Sequence, residues 1–241
     1  MLRDRKRENA SSDKAEYLVI FFHGYGSSGE MMEDYVGNLL GPKLPEATIR
    51  FPDGPIELGR DDEGHSYHSW FDIQDVLDAP DIDVVGPRAE AAAEDINAYI
   101  DRVMVEEGYD ADHVILAGFS QGGTMAYYAG LLRDEPVAGV YSISGGALTK
   151  LDNPKVKPPV ALIAGELEDS DYSGNRHALR THKLLDDAGF RTECVLIPGK
   201  YHEISEESLD LLAHFTHIVT PDAPKNDNRQ AKPSRKPGFK P

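Results

Sequence analysis

The chain has 241 residues and a mass of 26.5 kDa, enough for one well-buried domain or at most two small ones. Hydrophobic residues make up 40% of it, and no apolar run is long enough to span a bilayer, so we expect a globular protein without stable membrane insertion. The charged start Met1–Arg7 has no apolar segment behind it and predicts no secretory signal. The lone Cys194 excludes a disulfide framework and a thiolate zinc cluster, and a cytoplasmic location follows as the expectation.

Charge is distributed unevenly along the chain. The whole sequence carries 25 basic and 42 acidic residues, for a net charge of −17, and residues 15–220 alone hold 14 basic and 37 acidic residues. Such an acidic body repels polyanions, so nucleic-acid binding is disfavoured. Residues 221–241 are basic, polar and rich in proline, which predicts a disordered tail, solvated rather than an arm for anionic surfaces. Residues 1–14 are predicted to be a flexible segment, which leaves 15–220 as the folded domain.

Between these ends, short apolar runs alternate with helix-like segments, the pattern of a parallel α/β sheet. Most of the runs are apolar on both faces, as strands covered on both sides must be. The predicted strands are Tyr17–Phe22, Ala47–Phe51, His113–Ala117, Ala138–Ser142, Pro159–Ile163 and Thr192–Ile197. The predicted helices are Gly29–Leu40, Pro87–Glu107, Gln121–Leu132, Asn175–Ala188 and Glu206–Ile218.

The first glycine-rich segment, Gly24–Gly29 (GYGSSG), follows an apolar strand and precedes a helix. Asp53 lies near the end of the next strand. This arrangement matches the dinucleotide-binding fingerprint, in which glycines admit a pyrophosphate and an acid binds the ribose. A nucleotide site is therefore one hypothesis for this segment.

A second glycine-rich segment, Gly118–Gly123 (GFSQGG), lies between a predicted strand and a predicted helix. Its pattern G-x-S-x-G is typical of a sharp turn that exposes a serine hydroxyl at the edge of the sheet. Ser120 is thus a candidate nucleophile, and it needs a base together with an acid that orients the base. In chain order an acid should follow, then a histidine. Acids occur in Glu166–Asp171, just past a strand, and His202 lies in a loop before the last helix.

Several segments resemble the phospholipase/carboxylesterase family of α/β hydrolases, which includes acyl-protein thioesterases. They extend from about residue 17 to residue 218, nearly the whole predicted domain. The segments are Val19–Gly26 (VIFFHGYG, similar to the family's HGLG loop), Phe51–Pro55 (FPDGP), Ser69–Asp72 (SWFD), Gly118–Gly123 (GFSQGG) and Gly199–Ile204 (the histidine loop).

The resemblance implies a single-domain α/β-hydrolase fold, with a mostly parallel central sheet and helices on both of its faces. The connection from Ser142 to Pro159 is too short for a cap domain. In this family the HGLG loop supplies an oxyanion-hole amide, which implies that the backbone N–H groups of Tyr25 and Gln121 bind the oxyanion. The first glycine motif then approaches a substrate oxygen rather than a pyrophosphate.

The sequence departs from the family at the acid. The family carries G-x-x-D, whereas Gly165 is followed at that position by Glu168, and the spacing suggests an insertion. We predict Asp169 as the acid, with Glu168 second and Asp171 third, since either residue type can orient a histidine.

The sequence therefore predicts a serine carboxylesterase that uses Ser120, Asp169 and His202 and forms an acyl-enzyme. No metal site and no organic cofactor are expected. Trp70 and Phe71 are predicted either to line an acyl groove or to be core residues. Neutral small esters are the favoured substrates, with lysophospholipids and acylated protein cysteines as alternatives, and a noncatalytic binding protein of the same fold is the alternative from another class. The sequence leaves the oligomeric state open, a homodimer included.

Overall fold

A computed structural model of the chain describes residues 2–8, 15–74, 82–147, 154–168 and 174–220. Seven strands form one twisted sheet in the order β1-β3-β2-β6-β7-β8-β9, and β4 pairs with β5 in a separate hairpin. Within the sheet β1 is antiparallel to β3 and the other neighbours are parallel. The strands are β1 (Asp4–Glu8), β2 (Tyr17–Phe22), β3 (Ala47–Pro52), β4 (Ile56–Arg60), β5 (Ser66–Ser69), β6 (Val114–Phe119), β7 (Gly139–Ile143), β8 (Val160–Gly165) and β9 (Thr192–Ile197).

Six α-helices cover the sheet in the described ranges. They are α1 (Gly29–Met32), α2 (Asn38–Leu40), α3 (Ile82–Glu107), α4 (Gln121–Leu132), α5 (Asn175–Asp187) and α6 (Glu206–Val219). A π-helical turn, Glu33–Gly37, joins α1 to α2, so the predicted helix over 29–40 is continuous but irregular. Helix α3 begins five residues before Pro87, which therefore lies inside it rather than at its first position.

Alternation along the central strands divides the core into two clusters, one on each face of the sheet. In β2, Leu18, Ile20 and Phe22 contribute to the cluster under α3, α4 and α5. Tyr17 and the alternate residues of the same strand contribute to the opposite cluster, with residues of α2 and α6. Since successive side chains of a strand point to opposite faces, a strand buried on both sides must be apolar throughout. The predicted fold class is confirmed, and the ends of the six predicted strands move by at most two residues.

Two elements correct the sequence analysis. Asp4–Glu8 belongs to the predicted flexible segment, but it forms strand β1 along the edge of β3, where Arg50 of β3 and Tyr99 of α3 both hydrogen-bond Asp4. Its charged residues lack an apolar alternation because β1 lies at an edge of the sheet. The hairpin of β4 and β5 was also not predicted, since β4 is largely exposed. Residues 221–241 lie outside the described residues, as do 9–14.

Within the described ranges, no helix is both long and apolar enough to cross a bilayer.

Candidate active site

Ser120 occupies the turn between β6 and α4, at the carboxyl edge of the sheet. Its φ is +54°, a left-handed conformation that is rare for a residue with a side chain. The backbone N–H of Ser120 donates to the carbonyl of Ile143 on the neighbouring strand β7 at 2.8 Å. The strained turn predicted from G-x-S-x-G is therefore present, and it leaves the serine side chain half-buried rather than in the core.

The glycines of this turn are required by close backbone contacts. A Cβ added at Gly122 would lie 2.1 Å from the carbonyl oxygen of Phe22, at the end of β2. A Cβ at Gly118 would lie 2.3 Å from the carbonyl oxygen of Gly122 itself. These distances are far below van der Waals contact with backbone atoms that cannot move aside, so only glycine permits α4 to begin this close to β2 and β6.

His202 lies in the loop between β9 and α6, and it contacts the serine directly. Its Nε2 is 3.0 Å from Ser120 Oγ, within hydrogen-bond distance. The imidazole packs against the ring of Phe119, with ring centroids 4.7 Å apart, and its side chain is 41% exposed. The structure thus brings together the serine and the histidine that the sequence paired, at an edge that solvent can reach.

The acid beside His202 is Glu168, in the turn after β8. Glu168 Oε1 is 2.5 Å from His202 Nδ1, and the glutamate side chain is only 3% exposed. Asp169, the predicted acid, and Asp171 lie outside the described residues. Glu168 keeps the family's G-x-x-D spacing from Gly165, and this is the signal that would have placed it first.

Tyr25 lies in a tight turn, in which the N–H of Ser27 donates to the carbonyl of Gly24 at 3.2 Å. The turn is tied to the hairpin, because Gly26 N–H donates to the carbonyl of His68 and His68 N–H donates back to Ser27. A Cβ at Gly24 would lie 3.2 Å from the Phe119 ring, so this loop sits beside the strand that precedes the serine.

His23 connects this loop to the next one. Gly54 N–H donates to His23 Nε2 at 2.9 Å, which leaves the ring proton on Nδ1, and Nδ1–H donates to the carbonyl of Gly24 at 2.7 Å. Burial lowers the pKa of His23 to about 4, so the ring is neutral at pH 7. In a trans peptide the C=O and N–H point in opposite directions, so fixing the Gly24 carbonyl also fixes the Tyr25 N–H. The sequence analysis missed this role.

Gln121 begins α4, where the first N–H groups of a helix have no intrahelical acceptor. Its buried side chain binds the segment that contains Trp70. Gln121 Oε1 accepts from the Trp70 N–H at 3.0 Å, and Nε2 donates to the carbonyl of Phe71 at 2.9 Å. The amide side chain therefore holds the start of α4 against the loop after β5.

Trp70 and Phe71 are 1% and 5% exposed, and both belong to the core cluster under α3 and α4. The indole N–H of Trp70 donates to the carbonyl of His23 at 2.8 Å, and its ring meets Phe22 edge to face. Of the two interpretations offered for these residues, the structure favours the core rather than a substrate-binding surface. The sequence places both aromatic residues in a predicted loop, and that position does not distinguish a core residue from a substrate-binding residue.

Asp53 was the candidate ribose ligand of the nucleotide hypothesis. Its Oδ1 instead accepts a hydrogen bond from the N–H of Gly29 at the start of α1, at 2.7 Å, and the residue is 9% exposed. A Cβ at Gly29 would lie 2.1 Å from the carbonyl of Phe51, which accounts for that glycine by packing alone. Both observations favour the structural interpretation of this motif.

These observations define the class of the protein. A central, mostly parallel sheet carries a serine on a strand-to-helix turn, and a histidine and a carboxylate follow on later loops of the same edge, as in the α/β-hydrolase fold.

Comparison with known proteins specifies the family. A model of the phospholipase/carboxylesterase family matches residues 6–220, and the chain belongs to this family. Acyl-protein thioesterase 1 homolog 1 of Dictyostelium discoideum is 27% identical over 214 residues, which cover 84% of this chain and 90% of that protein. Acyl-protein thioesterase 1 of Neurospora crassa is 26% identical over 210 residues, or 82% of this chain and 84% of the relative. Among solved structures, the esterase PE8 is similar with a TM-score of 0.80 and 27% identity, over 90% of this chain and 99% of that chain.

Proposed function

We propose that this protein is a serine esterase that hydrolyses carboxylic esters through Ser120, His202 and Glu168. The observation that carries the proposal is the position of His202, whose two ring nitrogens contact Ser120 Oγ at 3.0 Å and Glu168 Oε1 at 2.5 Å. A serine hydroxyl is a weak nucleophile until a base removes its proton, and a buried carboxylate on Nδ1 stabilises the imidazolium that then forms. Membership of an esterase family supports the same activity.

In the acylation step His202 Nε2 takes the Ser120 proton while Oγ bonds to the carbonyl carbon of the ester. The carbonyl π bond opens and its electron pair moves to the oxygen. His202 then gives its proton to the leaving alcohol as the C–O bond to that alcohol breaks, which leaves an acyl-serine. Water deprotonated by His202 attacks the acyl-serine, and the collapse of this second intermediate returns the proton to Ser120 and releases the acid.

The backbone N–H groups of Tyr25 and Gln121 are the proposed donors to the oxyanion. The fixed orientation of the Gly24–Tyr25 peptide and the position of Gln121 at a helix N-terminus support this assignment. Donors held in place before the reaction require no reorganisation, and each contributes on the order of 3 kcal/mol to transition-state stabilisation. This chemistry needs neither a metal nor an organic cofactor.

Exposed apolar side chains next to the triad support a substrate with an apolar acyl group. Leu167 immediately precedes Glu168 and is 45% exposed, and Tyr201 immediately precedes His202 and is 63% exposed. A thioester is the second candidate substrate, because two of the relatives are named acyl-protein thioesterases and the same attack cleaves a C–S bond. The cytoplasmic location stays a prediction from the sequence.

The test is hydrolysis of p-nitrophenyl esters of increasing acyl-chain length, with a matching acyl thioester in parallel. We expect wild type to be active, Ser120→Ala to lose activity, and a fluorophosphonate probe to label wild type but not the variant. Labelling that is unchanged in Ser120→Ala would overturn the assignment of the nucleophile. A wild type that neither reacts with the probe nor hydrolyses any ester would favour a binding protein of this fold.

A further inference from the structure

Ser144 directly follows β7 and is a second residue held in a left-handed conformation, with φ at +53°. Among the described residues, Ser120 and Ser144 are the two residues other than glycine that adopt a positive φ. Gly145 and Gly146 come next in the chain, yet the strained position is occupied by a residue with a side chain. Glycine would adopt this φ without cost, so the serine side chain must compensate for the strain by what it contacts.

The contact is with the proposed acid. Ser144 Oγ donates to Glu168 Oε2 at 2.7 Å, and Ser144 is 1% exposed. The two carboxylate oxygens therefore have separate partners, because Oε1 contacts His202 Nδ1. A hydrogen bond from a hydroxyl to a buried carboxylate is among the stronger ones in proteins.

Neighbouring backbone fixes both ends of this contact. Ser144 N–H donates to the carbonyl of Ile163 on β8 at 2.7 Å, which holds the serine in place. On the other side of the glutamate, a Cβ at Gly174 would lie 2.7 Å from Glu168 Cγ, so the backbone that begins α5 limits the movement of this side chain. A Cβ added at Gly145 would lie 2.7 Å from the carbonyl oxygen of Ser120, so Gly145 packs equally closely against the turn that carries Ser120.

We propose that Ser144 is a positioning residue, which orients the Glu168 carboxylate toward His202 by binding its second oxygen. Glutamate has one methylene and one rotatable bond more than the aspartate that is usual in the family, so its carboxylate has more orientations to exclude. The hydroxyl of Ser144 and the backbone at Gly174 exclude them. His177 on α5 also interacts electrostatically with Glu168. Burial lowers the pKa of His177 to about 4, so its ring is neutral at pH 7 and carries no charge that would orient the carboxylate.

Two variants remove the hydroxyl in different ways. Ser144→Ala removes the hydroxyl but keeps a Cβ at the strained φ. Ser144→Gly removes the hydroxyl and also relieves the strain, so the glycine variant folds even if backbone strain prevents the alanine variant from folding. Ser142→Ala is the matched control, because Ser142 is a fully buried serine of β7, two residues before Ser144, and its Oγ has no hydrogen-bond partner. We expect kcat for p-nitrophenyl acetate to fall about tenfold in both Ser144 variants, with KM little changed, and to stay at the wild-type value in Ser142→Ala.

A double-mutant cycle with Glu168→Gln separates positioning from a general structural role. If Ser144 acts through the carboxylate, its removal should cause no further loss of kcat in the Glu168→Gln background. An equal loss in both backgrounds, or an unchanged kcat in Ser144→Gly, would overturn the proposal.

The inference rests on the proposed function, and one measurement tests it without using activity. The proton between His202 Nδ1 and Glu168 should give a downfield NMR signal in wild type that shifts or broadens in both Ser144 variants but not in Ser142→Ala. An unmoved signal refutes the role of Ser144 even if the esterase is active. A moved signal in a protein without esterase activity supports the positioning contact and rejects the proposed function.

Discussion

Acid should destabilise this protein through a histidine that is buried in the neutral form. His23 is fully buried, its Nε2 accepts a hydrogen bond from Gly54 N–H, and burial lowers its pKa from 6.5 to about 4. A proton added to Nε2 would face the Gly54 N–H and break that bond. In the unfolded chain the same imidazole takes up its proton near its ordinary pKa.

The size of the effect follows from the two pKa values. Between about pH 6.5 and about pH 4 the unfolded state binds more protons than the folded state, so stability falls as pH falls through this window. From about pH 7 to about pH 4.5, His23 alone should cost about 2.5 kcal/mol of unfolding free energy. His177, whose pKa burial also lowers to about 4, should add a similar loss. Together these losses, about 5 kcal/mol, are comparable with the whole stability of a small domain.

The assay is urea unfolding at about pH 7 and about pH 4.5. The fluorescence of Trp70 reports the unfolding, because this residue leaves the core. His23→Gln keeps an acceptor for Gly54 but does not titrate, so the pH-dependent loss should be smaller than in wild type by about 2.5 kcal/mol. His214→Gln, at an exposed histidine on α6, is the control. A pH-dependent loss in His23→Gln as large as that of wild type would refute the reasoning.

Three further outcomes are expected. Glu168→Gln should lower kcat for ester hydrolysis by about three to four orders of magnitude, since the amide cannot stabilise the imidazolium. Asp169→Asn should have little effect, and the reverse result would make Asp169 the acid. Gly122→Ala should yield no soluble folded protein, because its Cβ would lie 2.1 Å from the Phe22 carbonyl, and a cooperative melt near that of wild type would contradict this. Cys194 should react slowly with iodoacetamide at about pH 8, since burial raises the pKa of its thiol to about 11. Labelling as fast as that of a free thiol would contradict this and show that β9 opens readily.

The sequence predicted the central strands well because they are buried on both faces. Such strands are apolar throughout, and β2 matches its predicted bounds. Strand β9 also matches its predicted bounds, although it is half-buried and lies at the edge of the sheet. Strand β1 could not be found in this way. Its contacts, such as the ion pair of Asp4 with Arg50, join residues far apart in the chain, and its own pattern is only charged. The hairpin of β4 and β5 likewise has too few buried residues to produce an alternation.

The candidate site shows a similar division. Ser120 and His202 could be placed because their positions depend on strand ends, which the sequence reveals. The acid depends on the register of a single turn, in which Glu168 and Asp169 differ by one position and both are carboxylates. Composition cannot separate two such neighbours, and only the G-x-x-D spacing from Gly165 distinguishes Glu168. The contacts of His23 and Ser144 were not predicted either, because each joins loops that follow different strands.

The direction of β1 has a practical consequence for handling the protein. Because β1 runs antiparallel to β3, its first residue, Asp4, is paired with Pro52 at the carboxyl end of β3, and the carbonyl of Arg3 accepts from the N–H of Asp53. Residues 2 and 3, ahead of this strand, consequently lie at the edge of the sheet that carries Ser120. A tag or surface tether attached there would hold the reactive edge toward its support, whereas an attachment on the exposed outer face of α5 would leave that edge open to solution.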